Sequence, residues 1–159
     1  VELRSSEASF LGPHVNRIDA KGRIAVPAEF RRALDGEKER GFYCLKSVQH
    51  DHLECGGGDF ILDYKRMIRS LPPFSAEREL LEEHILGALR FLPFDTEGRV
   101  VIPEAFRKHA NLTERVLFQG RGETFVMTEA DAAERRLAST RNEARNALKG
   151  LPNLQAGRP

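Results

Sequence analysis

The sequence predicts an α+β protein made of two copies of one small unit, with helices added between and after them. Three observations support this. Asp19 to Leu34 overlays Asp95 to Ala110 at a constant offset of 76, and six of sixteen positions are identical: Asp19/Asp95, Gly22/Gly98, Arg23/Arg99, Pro27/Pro103, Phe30/Phe106 and Arg31/Arg107. Within each copy the apolar residues first alternate with the two-residue period of a strand and then switch to a short helical pattern. Outside the copies, apolar residues recur at helical spacing in the stretches 59–91 and 129–149.

In the first copy, residues 10–58, Asp19 and Arg23 bracket Ala20, Lys21 and Gly22. A three-residue hairpin loop commonly ends in a left-handed residue, which Gly tolerates best, and Gly22 and Gly98 both sit there. Such a loop opposes Asp and Arg on one face and sends Ile18, Ile24 and Val26 to the other, toward the core. Pro27 and Pro103 then start short helices. The first carries Phe30, Ala33 and Leu34 inward and stops at Gly36, and Asn111 takes the stop position in the second copy. Tyr43 to Ser47 and Leu53 to Cys55 read as strands around the loop Val48 to His52.

The connecting segment 59–91 reads as two helices. Asp59 caps the first, which carries Phe60, Tyr64, Met67, Ile68 and Leu71 until Pro72 and Pro73 break it. Ser75 caps the second, expected to run to about Phe91 with Leu81, Ile85, Ala88 and Leu92 on one stripe, widened by Leu80, Leu86 and Leu89. A face that broad suggests a subunit contact. The second copy, 92–128, closes with strands at Val116 to Phe118 and Thr124 to Thr128. Thr128 is expected to cap one helix over 129–149, with Asp131 at the capping-box distance and Ala130, Ala133, Leu137, Thr140, Ala144, Ala147 and Leu148 inside. The tail 150–159 is rich in Pro, Gly and Gln and reads as loose.

Composition narrows the function classes. The chain has 159 residues, enough to bury roughly 70% of its unfolded surface. It is 40% hydrophobic and 31% charged, with no apolar run near the roughly 18 residues of a spanning helix, so no membrane partner is expected. Val1 to Ser9 lack an apolar stretch and a small-residue cleavage pattern, which points to the cytoplasm. There Cys44 and Cys55 are expected to stay as thiols. With 25 basic and 24 acidic residues the net charge is +1, so any nucleic-acid surface must be a local patch.

Three features suggest other chemistry and fall short of it. Cys44, His50, His52 and Cys55 are four potential zinc ligands, but their spacing fits no common finger and the second copy has no counterpart, so no metal is expected. Gly56, Gly57 and Gly58 lack the Lys-Ser/Thr of a phosphate loop and read as a turn. Glu79, Glu82, Glu83 and His84 read as the solvated face of a helix, with no nucleophile motif nearby. No enzyme activity, cofactor or small-molecule substrate is therefore expected.

Arg17, Lys21 and Arg23 cluster about one turn, with Asp19 placed to hold the Arg23 guanidinium rather than cancel it. Locally this fits either a nucleic-acid contact or a solvated turn with an ordinary cross-strand ion pair. The doubled Asp-x-x-x-Arg, followed by a branched aliphatic pair, Pro and x-x-Phe-Arg, resembles the MraZ family of bacterial transcription regulators. The likeness runs from Phe10 to about Arg136, and the run His14 to Arg23 is similar to that family's N-terminal signature almost residue by residue.

The resemblance implies two AbrB-like half-barrels (double-psi or swapped-hairpin) combined into a pseudo-symmetric β-barrel, and several chains assembled as a ring-shaped homo-oligomer. It further implies a nucleoid-associated protein that binds short tandem promoter repeats in double-stranded DNA and regulates the division and cell-wall gene cluster. Its DNA-contacting loops carry over as Asp19 to Arg23 and Asp95 to Arg99, giving Arg17, Asp19, Lys21, Arg23, Asp95 and Arg99 as site residues. Glu97 replaces Lys21 and Pro93 replaces Arg17 in the second copy, so around its loop only Arg99 is basic. The alternative is an AbrB-like antitoxin or protein-interaction module, disfavoured by two copies and a short tail. An enzyme on a related barrel is disfavoured too, since the chain has no Gly-Ser pair for self-cleavage.

Overall fold

The two copies exchange strands. In the computed structural model, which describes residues 9–152, the first copy contains β1 (Pro13–Arg17), β2 (Arg23–Ala25), α1 (Ala28–Ala33), β3 (Gly41–Lys46) and β4 (Leu53–Gly56). After α2 (Gly58–Arg69), α3 (Ala76–His84) and a 3-10 turn at Leu86–Ala88, the second copy repeats the order. It contains β5 (Arg90–Pro93), β6 (Arg99–Val101), α4 (Glu104–Ala110), β7 (Arg115–Gly120) and β8 (Phe125–Glu129). The chain continues into α5 (Ala130–Ser139) and α6 (Arg141–Lys149). Most of the N-terminal stretch read for a signal, and residues 153–159 of the expected loose tail, lie outside the described residues.

Six strands form one antiparallel sheet in the order β1-β7-β8-β4-β3-β5, and β2 pairs with β6 in a separate two-stranded ribbon. Exchanging the two copies reverses the sheet order and leaves it otherwise unchanged. The turn at 19–23 forms as expected, but its flanking strands part company. Beyond one bridge between Ile18 and Ile24, β1 pairs with β7 and β2 with β6. Among the described residues β1 and β5 are the sheet edges, so the expected closed barrel is not seen.

The core lies between the sheet, the ribbon and the two short helices. Phe30 of α1 stands 4.9 Å from Phe125 and 5.3 Å from Phe10, ring centre to ring centre, and its counterpart Phe106 is buried with Val100 and Ile102. Each such ring contributes about 1.5–3 kcal/mol by burial. Pro27 and Pro103 stand at the N-cap, one position before the first helical residue, rather than at the first helical position as expected. Asn111, at φ 55°, ends α4 as expected, whereas α1 ends at Ala33, before Gly36.

Three expectations about helices need correction. Asp59 is not a cap: α2 begins at Gly58, whose N–H donates to Glu37 Oε1 at 2.8 Å. The glycines there permit close approach, since a Cβ on Gly57 would come within 2.7 Å of that carboxylate.

The second helix stops at His84 because Leu92 belongs to β5, opposite Phe42. The broad stripe read across it is thereby divided: Ile85 packs with Leu45, Phe60 and Ile68 in a satellite core, and Leu92 joins the main core. Two internal surfaces thus account for part of its breadth, while Leu80 stays 53% exposed.

At the C-terminal end, Glu129 and not Thr128 caps α5, accepting from the N–H groups of Asp131 and Ala132. The single helix expected over 129–149 is broken at Thr140. Ala130 and Ala133 pack on Leu117, but Leu137 and Leu148 are 53% and 69% exposed, so the inner face is covered only over its first turn.

Candidate nucleic-acid interface

Both turns are built by the same hydrogen bonds. Asp19 N–H donates to Arg23 O at 3.0 Å, and Gly22 N–H donates to Asp19 O at 3.0 Å, with Gly22 at φ 84°. Asp19 Oδ1 accepts from the backbone N–H of Lys21 and of Arg23, both at 2.9 Å, and Oδ2 accepts from Arg23 Nε at 2.7 Å. In the second copy Asp95 accepts from the N–H of Glu97 at 2.8 Å, the N–H of Arg99 at 2.9 Å and Arg99 Nε at 2.8 Å, with Gly98 at φ 77°. An aspartate can satisfy a tight turn's N–H groups and still hold an arginine by one nitrogen.

These donors hold both carboxyls below the ordinary carboxylate range. The Arg23 backbone N–H is the main cause for Asp19, and the Arg99 backbone N–H for Asp95.

The ribbon brings the two turns together. Arg23 faces Val101, Ile24 faces Val100 and Ala25 faces Arg99. Ile24 and Val100 are buried, which leaves Arg23, Ala25, Arg99 and Val101 on the outer face. Ile102 N–H donates to Gly22 O at 2.8 Å, and Val26 N–H donates to Gly98 O at 3.1 Å, so each turn is stitched to the other copy's strand.

The two turns differ in electrostatics. Among the described residues the Arg23 side chain uses only Nε, and Lys21 has no ion pair. Arg99 is also held by Glu97, Nη2 to Oε2 at 3.3 Å. The Asp95 side chain first, then Glu97 and the more distant Asp19, raise its pKa. Arg17 stands at the end of β1, exposed, with Nη1 3.5 Å from Glu114 Oε1. The structure thus places the six expected site residues at one ribbon and the strand end beside it.

Arg31 and Arg107 make one of the six identities, and their role is visible only in the tertiary structure. Arg31 Nε donates to Val26 O at 3.2 Å and Arg107 Nε to Ile102 O at 3.0 Å. A Cβ on Gly22 would stand 3.0 Å from Arg107 Nε, and one on Gly98 would stand 2.9 Å from Arg31 Nε. Each helix arginine therefore lies against the other copy's turn.

The four zinc-type residues do not converge. Cys44 and Cys55 face each other in the core with Sγ atoms 3.7 Å apart, and His50 stacks beside His52 at 5.2 Å. Among the described residues no group of three or more His, Cys, Asp or Glu could hold a metal ion. No helix among them is long and apolar enough to cross a membrane.

A family profile described as "MraZ protein, putative antitoxin-like" matches residues 85–139. The transcriptional regulator MraZ of Beijerinckia indica subsp. indica is 33% identical over 156 residues, spanning 94% of this chain and 95% of the relative. The chain belongs to the MraZ family of transcriptional regulators. Two further relatives of the same name agree. That of Rickettsia felis is 36% identical over 135 residues, covering 85% of this chain and 91% of its own. That of Methylocella silvestris is 31% identical over 142 residues, covering 89% and 87%. The family is one of regulators, not of enzymes.

Proposed function

We propose that the chain is a sequence-specific DNA-binding regulator of the bacterial division and cell-wall gene cluster, with the turns at 19–23 and 95–99 as its DNA interface. The observation that carries this is the duplicated aspartate-held arginine on one exposed ribbon. Asp19 takes Nε and leaves the Nη groups of Arg23 without a partner among the described residues. A guanidinium so held can present its free edge to guanine O6 and N7 or to a phosphate, and a two-stranded ribbon fits the major groove. The first turn is the stronger contact, with Lys21 and Arg23 against one aspartate, whereas Asp95 and Glu97 both surround Arg99.

One such turn is a small electrostatic footprint. Binding of tandem short promoter repeats by a ring-shaped homo-oligomer converts each later contact into an intramolecular event. The strand order that survives exchange of the copies supports a pseudo-symmetric pairing of two AbrB-like halves within each chain. A cytoplasmic, nucleoid-associated location follows from this reading. Selection from random duplex DNA, then footprinting on the chain's own upstream region, tests it. Arg23→Ala is expected to lose more affinity than Arg99→Ala, and unchanged affinity and salt dependence in both variants would remove the assignment.

A further inference from the structure

The geometry points to a division of labour in which the second copy contributes to the DNA interface chiefly through Arg107, seated on the first copy's turn, and only secondarily through Arg99. This rests on the proposed role of the 19–23 turn and adds to it a residue from the opposite half of the chain.

Four observations converge on Arg107. First, the seat is shaped for it. A Cβ on Gly22 would stand 2.8 Å from Ile102 O, 3.0 Å from Arg107 Nε and 3.1 Å from its Cζ, so only glycine lets the guanidinium lie against the turn. The φ of 84° already favours glycine, and the close approach is a separate requirement at the same position. Second, the guanidinium is oriented. Arg107 Nε donates to Ile102 O, and Ile102 N–H donates to Gly22 O, so one residue fixes both the arginine and the turn. Its partial burial limits the side-chain freedom that binding would otherwise remove.

Third, Arg107 is not neutralised. Among the described residues it makes no ion pair, and its Nη groups have no partner. Arg99, by contrast, already engages two carboxylates. Fourth, the charge balance asks for an anion. Lys21, Arg23 and Arg107 surround a turn whose one carboxylate, Asp19, is already occupied by three donors. Three cations around one carboxylate leave excess positive charge, which is self-repelling in the free protein and is relieved by a phosphate backbone. Arg31 occupies the same seat on Gly98, but there it joins a turn holding both Asp95 and Glu97.

The test measures binding of a fluorescein-labelled 30-base-pair random-sequence duplex to the full chain across a salt series, by anisotropy, after thermal melting shows each variant folded. The slope of log affinity against log salt reads phosphate contacts directly, at about 0.9 per contact. Arg107→Gln is expected to lower the slope by about 0.9 for each chain engaged, and Arg99→Gln by less than half of that. Arg107→Lys is expected to keep the slope, since the charge remains, while losing affinity with the Nε bond. A slope unchanged by Arg107→Gln, or lowered equally by Arg99→Gln, overturns the inference. The reading of the first turn fails separately, if Arg23→Gln also leaves the slope unchanged.

Discussion

Asp19 illustrates how a carboxylate inside a basic cluster can strengthen the cluster. Its two oxygens take three hydrogen bonds from the turn, so it fixes the Arg23 guanidinium edge-on. In the second copy Glu97 adds a carboxylate with no such structural task, reaching the Arg99 Nη2 instead. Glu97→Lys is therefore expected to raise duplex affinity and steepen its salt dependence, measured by anisotropy titration. His52 is a residue whose role the sequence could not show. It is buried, its Nε2 has no hydrogen-bond partner among the described residues, and burial first, then the Arg121 charge, lower its pKa from 6.5 to about 4. His50 and Arg136 act in the same direction and Glu54 opposes them.

Because its folded pKa is depressed, His52 binds its proton more readily in the unfolded chain. Its contribution to stability is full above pH 6.5 and declines as pH falls toward about 4. His52→Leu is expected to flatten that decline, read from urea unfolding at pH 7.5 and pH 5. The lowered carboxyls of Asp19, Asp95 and Glu129 act at lower pH, stabilising above their ordinary range and losing that contribution as pH falls through it.

At the scale of elements, caps and turns separate what is local from what is not. The Ser75 cap was legible because it depends on residues three apart, and Ser75 Oγ accepts from Arg78 N–H as expected. The cap of α5 falls one residue later than expected because Thr128 and Glu129 both offer oxygen acceptors, and Thr128 is still inside β8 while the helix starts at Ala130. Glu129→Ala is accordingly expected to cost about 1 kcal/mol in chemical denaturation, with Thr128→Ala costing clearly less. The stripe from Leu81 to Leu92 shows the opposite limit. Helical spacing persists through it, but Leu92 pairs opposite Phe42 in the sheet and its side chain joins the main core, a long-range pairing that spacing alone does not report.

For the whole molecule, exchange of strands between the copies makes one interface from two weak turns. It also leaves β1 and β5 as edges and much of α5 and α6 uncovered. Light scattering is expected to give a mass several times 17.9 kDa. Affinity should drop steeply when tandem DNA elements are reduced in number or shifted by half a helical turn, because the spacing of turns in a rigid assembly must match that of the DNA. A monomer that bound single and repeated elements equally well would remove the ring and leave the turn assignment in place.

The amino-acid sequence alone determined the duplication, both turns and the inward face of each flanking strand. These depend on short-range requirements: glycine where φ is positive, aspartate where two nearby N–H groups need an acceptor, and the two-residue alternation of a strand. The tertiary structure decided which strands pair, because alternation states which face is buried without naming the neighbour across it. It also decided that Arg107 lies on Gly22. Those two residues are brought together only by the pairing of β2 with β6, a contact between copies that no local pattern encodes.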